Sequence, residues 1–85
     1  MEKYIATVYR KDGHPIDAMG PIFGDWSRKF EEIEAFAKKK RADYVEVDRR
    51  TNGHFITVYT WRVGEKKAHR VTPPDSWGPG LYTYR

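Results

Sequence analysis

Residues 43–63 read DYVEVDRRTNGHFITVYTWRV, and the fold turns on this stretch. Two runs rich in Val, Ile, Thr and aromatic residues flank Asn52-Gly53, the pair that most readily takes the left-handed geometry of a type I′ turn. The stretch predicts a β-hairpin with strands over 43–50 and 55–63. An unbroken register sets Arg49 opposite Ile56, Val47 opposite Val58 and Val45 opposite Thr60. The other face then carries Tyr44 with Trp61, Glu46 with Tyr59, Asp48 with Thr57 and Arg50 with Phe55.

Working downstream, Gly64-Glu65 predicts a second turn that returns the chain over 66–72. Its register sets Val58 opposite Val71, Tyr59 opposite Arg70 and Trp61 opposite Ala68. Val47, Val58 and Val71 then share one face, so the two turns support the same sheet. Pro73-Pro74 ends the strand because neither proline can donate to a ladder. Residues 73–85 form a Pro/Gly/aromatic tail that is expected to pack on the sheet, since Trp77, Leu81, Tyr82 and Tyr84 are too apolar for a free end.

Working upstream, Trp26, Phe30, Ile33 and Ala37 recur at helical spacing, with Phe36 widening the stripe. A helix is predicted over 26–41, capped at its start by Asp25 or Ser27. Lys38, Lys39, Lys40 and Arg41 fall in its last turn, where cations offset the negative end of the helix dipole. Before the helix, residues 3–11 read as a strand, and Asp12-Gly13 offers a hairpin turn that places Tyr9 opposite Ile16 and Thr7 opposite Ala18. Pro15 confines the return strand to an edge and is expected to keep it short. Gly20-Pro21 and Gly24-Asp25 read as loop.

The fold class expected is therefore α+β. A single domain over 1–85 carries an antiparallel sheet of four or five strands with one helix across one face, in the order β(β)αβββ plus the tail. The chain has 85 residues, enough for one core, and aromatics at 15% supply much burial per residue.

There is no cysteine, which removes disulfides, thiolate nucleophiles and Cys-based zinc sites. His14, His54 and His69 show no ligand spacing, so neither a metal nor a cofactor is expected. No apolar run is long enough to span a membrane. The N-terminus reads directly into a strand, and a cytoplasmic location is expected. The net charge is +4, and residues 1–42 and 43–85 contribute equally to it, so charge is not segregated along the sequence.

The valine face is the natural partner of the helix stripe. That reading leaves Tyr44, Arg50, Phe55, Tyr59, Trp61 and Arg70 on the side away from it. Rings and arginine are the residue types that dominate protein interfaces, so these six form the candidate partner-binding set. The function expected is a small non-enzymatic binding protein that acts on a protein partner as adaptor or inhibitor. An analogy is the small proteins of phages and mobile elements that occlude larger machines. The alternative is a single-stranded RNA or DNA binder that stacks bases on the same rings. A likeness to the RNA recognition motif fails, because no second helix fits residues 66–72. Glu46 and Asp48 would moreover repel phosphates on that face.

Overall fold

A computed structural model describes residues 2–71 of the chain. The strands are β1 (Lys3–Tyr9), β2 (Pro15–Phe23), β3 (Tyr44–Thr51), β4 (His54–Arg62) and β5 (His69–Arg70). They form one antiparallel sheet in the order β2-β1-β3-β4-β5. Between β2 and β3 the chain makes a 3₁₀ turn (Trp26–Lys29) that runs into helix α1 (Phe30–Lys39). The expected α+β fold, with one helix on a five-stranded antiparallel sheet, is thus the observed one. The tail expected over 73–85 lies outside the described residues.

The Asn52-Gly53 turn adopts positive φ at both residues, 50° and 81°. Close to it the register is the expected one, with Arg50 opposite Phe55, Arg49 opposite Ile56 and Asp48 opposite Thr57. One step further the ladder slips, and Val47 pairs with Tyr59, Val45 with Trp61 and Tyr44 with Arg62. Val58 is the extra residue of a β-bulge. Because side chains alternate with a period of two, one inserted residue moves everything beyond it to the other face. Tyr59 and Trp61 therefore point toward the helix, which corrects the expectation that they lie on the side away from it. The β4–β5 register is the expected one, with Tyr59 opposite Arg70, and the Val71 amide donates to the Val58 carbonyl at 2.9 Å.

In the first hairpin Thr7 pairs with Ala18 as expected, but Tyr9 pairs with Pro15. Strand β2 is an edge strand, yet it is longer than expected, with nine residues running through Gly20-Pro21. An irregularity between the Tyr4 and Ala6 pairs absorbs that dipeptide. Gly20 has φ of 147°, and a Cβ there would stand 3.1 Å from the Tyr4 carbonyl oxygen, so the two strands come this close only because the side chain is absent.

The core lies between helix and sheet. Trp26, Ile33 and Ala37 meet Ala6, Val8, Ile22, Val45, Val47 and Trp61, all buried. The Trp61 ring is 1% exposed, lies 5.7 Å from Trp26 and 4.7 Å from Phe30, and donates its Nε1–H to Glu34 Oε1 at 2.7 Å. Glu34 Oε2 accepts from the Gly64 amide at 3.1 Å, so one carboxylate joins the helix to the end of β4. At the start of the helical segment, Asp25 Oδ1 accepts from the Ser27 amide at 3.1 Å, as its capping role requires.

The helix ends in a Schellman motif, in which the Ala42 amide donates to the Ala37 carbonyl and the Arg41 amide to the Lys38 carbonyl. Arg41 occupies the left-handed position, with φ of 58°, where glycine is the favoured residue. Arg41→Gly should therefore raise stability, by about 0.5–1 kcal/mol, because it removes the left-handed penalty of a residue with Cβ. Urea midpoints of the two proteins check this.

Candidate binding face

The helix covers the face that carries Val45, Val47 and Trp61. Alternation puts Tyr44, Glu46, Asp48 and Arg50 of β3 on the other, open face, along with Lys3, Ile5, Thr7 and Tyr9 of β1. Beyond the bulge, Thr60 and Arg62 of β4 join them, and before it Phe55 and Thr57.

The upper part of this face is organised around rings and carboxylates. Tyr9 and Tyr44 stack with centroids 4.9 Å apart and planes 6° from parallel, as directly paired residues on β1 and β3 can. Glu46 is buried, at 4% exposure, between the cross-strand neighbours Thr7 and Thr60. Asp48 accepts a hydrogen bond from the Thr57 hydroxyl at 2.6 Å. Burial nonetheless raises the Asp48 pKa above the ordinary aspartate value, with the Thr57 bond offsetting part of the rise. Beside these residues a concavity of about 460 Å³ opens between Lys11, Tyr44, Thr60, Arg62, Glu65 and His69. At its rim Glu65 accepts from the Arg62 amide and pairs with His69 Nε2 at 2.8 Å, which together lower its pKa.

The Asp48 shift has a definite pH consequence. A carboxyl whose pKa rises on folding favours the folded state in its protonated form, so the stability it contributes is present at low pH. That contribution is lost as pH rises through the folded-state value. Asn is neutral, has the same shape and can still accept from Thr57. Asp48→Asn should melt higher than the parent at pH 7, and the advantage should disappear below about pH 4, the ordinary aspartate range. Thermal melts across this window check the sign.

The lower part of the open face is different in kind. Phe23 pairs with Lys3 across β2 and β1, and Arg50 pairs with Phe55 across β3 and β4. Tyr4 pairs with Arg49, so Lys3 and Arg50 stand one step further along the same ladder. A row of ring, cation, cation and ring therefore crosses four strands. Among the described residues, Phe23 and Phe55 are the large hydrophobics that remain exposed, at 58% and 44%.

Of the six residues proposed from the sequence, the structure brings Tyr44, Arg50 and Phe55 to the open face. It places Trp61 in the core and Tyr59 on the helix side, 4.9 Å from Trp26. Arg70 is exposed opposite Tyr59 at the β5 edge. Phe23, Lys3 and Tyr9 were missed. Phe23 fell in a stretch read as loop, and its pairing to Lys3 depends on an irregularity that the sequence does not mark.

Among the described residues no group of three or more His, Asp or Glu side chains could hold a metal ion, and no helix is long and apolar enough to cross a membrane. No protein-family model, curated protein or solved structure matches the chain.

Proposed function

We propose that the chain is a small non-enzymatic binding protein that acts on a protein partner, as adaptor or inhibitor, through the lower row of the open face. The observation that carries this reading is the coincidence of its two exposed phenylalanines with Lys3 and Arg50 in one row. Exposed rings beside cations are the composition of interface hot spots. Three strand spacings of roughly 4.8 Å each separate the rings, so the row spans roughly 14 Å. A segment with two apolar side chains about that far apart and carboxylates between them complements it.

A nucleic-acid strand suits this face poorly, because Glu46 and Asp48 stand at its centre. The experiment is capture of partners from lysate, with and without nuclease, by the parent chain and by Phe23→Ala/Phe55→Ala. A protein retained after nuclease and lost with the double variant supports the reading. The absence of any protein that survives nuclease and is lost with the double variant contradicts it.

A further inference from the structure

Charge that is evenly spread along the sequence is gathered at one end of the fold. Strand directions bring the β1–β2 turn, the end of α1, the start of β3 and the turn after β4 to the same end of the sheet. The first of these carries Arg10 and Lys11, the helix end carries Lys38, Lys39, Lys40 and Arg41, and the last carries Arg62, Lys66 and Lys67. Among the described residues the carboxylates there are Asp12, Asp17, Asp43 and Glu65, together with Glu34, which reaches the Gly64 amide and the Trp61 Nε1–H. Two of these are engaged by histidines, Asp12 with His14 at 3.0 Å and Glu65 with His69 at 2.8 Å, and Asp17 holds Lys40 at 3.0 Å. The remaining cations at this end are in no ion pair among the described residues. Among the described residues at the opposite end, Lys3, Arg28, Lys29, Arg49 and Arg50 stand among Glu2, Asp25, Glu31 and Glu32, with Lys29 paired to Glu32 at 3.5 Å and Arg49 to Glu2 at 3.8 Å.

The helix dipole accounts for cations in the last turn of α1. It does not account for those that two other connections bring to the same place. Arg41 adds an independent observation. It holds the left-handed position of the Schellman motif, where glycine is less strained, so a charged side chain is kept there against local backbone preference.

We infer that this end is a binding site for the phosphodiester backbone of a nucleic acid. Repeated, evenly spaced negative charge is the chemistry that rewards many unpaired Lys and Arg side chains at once, through release of condensed counterions. The site is at the opposite end from the ring–cation row, so it stands or falls separately from the proposed protein interface.

The test is fluorescence anisotropy of a labelled oligonucleotide of about 20 nucleotides, single-stranded and duplex, at about 0.05 and 0.2 M salt. The parent chain should bind at the lower salt and weaken steeply at the higher. Lys38→Glu/Lys39→Glu and Lys66→Glu/Lys67→Glu should each weaken binding about tenfold or more, and the neutral Lys38→Gln/Lys39→Gln should fall between. Arg28→Glu/Lys29→Glu, at the other end, should change affinity less than about twofold. Arg41→Gly should bind more weakly while melting higher, a combination that a purely structural role for Arg41 does not produce. Preference for single strand or duplex identifies the form recognised. No binding at low salt, or equal losses from reversals at both ends, overturns the assignment. Equal affinity for polyaspartate of the same length overturns it as well.

Discussion

Trp61→Ala should cost about 3–5 kcal/mol of stability, the range for truncating a buried aromatic. The total for a domain of this size is roughly 5–10 kcal/mol, so the variant should be at or near the threshold of folding. The reason is on both sides of the ring. It packs on Trp26 and Phe30, and its Nε1–H satisfies Glu34, which also holds the Gly64 amide. Trp61→Phe separates these contributions by keeping an aromatic ring while removing the donor. It should cost only about 1–2 kcal/mol, the hydrogen bond together with the smaller ring. Denaturant unfolding of the two variants measures both. A well-folded Trp61→Ala would mean that the ring lies on the open face after all.

The second large effect is on binding. Phe55→Ala and Arg50→Ala should each weaken association with the partner by about 2 kcal/mol, close to thirtyfold, as truncation of an interface hot spot does. Their melting temperatures should remain near that of the parent, because Phe55 and Arg50 are exposed and solvent-facing changes are usually within about 0.5 kcal/mol. The contrast with Trp61 is the useful part. One face answers in stability and the other in affinity, and a titration of the captured partner against each variant separates them. If Phe55→Ala and Arg50→Ala both leave affinity unchanged, the ring–cation row is not the interface.

Why the sequence assigned Trp61 to the wrong face is instructive. The Asn52-Gly53 turn is legible because only particular residues accept positive φ at two successive positions, and both are present. The pairs beside it follow. A bulge needs no special residue, and Val58 and Tyr59 are both ordinary strand formers. A signal did exist. Ile56 and Val58 are apolar in one phase, whereas Tyr59, Trp61 and Val63 are apolar in the other, with Thr57, Thr60 and Arg62 as the polar counterparts. Two adjacent apolar residues where the phase changes mark the place where an extra residue is absorbed, and an unbroken ladder overlooks it.

The helix stripe was legible for the usual reason, since its spacing matches the face that Ile33 and Ala37 bury. Its first turn is 3₁₀ rather than α, a local tightening that spacing alone does not reveal. Strand β2 was underestimated because glycine and proline in Gly20-Pro21 read as loop. The fold uses them in an edge strand, where a missing amide donor is harmless and a missing side chain lets β1 approach. The clustering of basic residues could not have been read from the halves of the chain. It arises only when antiparallel connections return three separate segments to one end.

The most direct test of the account is the set of nuclear Overhauser contacts made by the Trp61 indole Nε1–H. The bulge at Val58 predicts contacts to Phe30, Ile33 and Glu34 of the helical segment, together with slow exchange of that proton with water. Contacts to Tyr44 and Phe55 instead, with fast exchange, would contradict it. The register would then be unbroken, and both the core and the binding face would have to be reassigned.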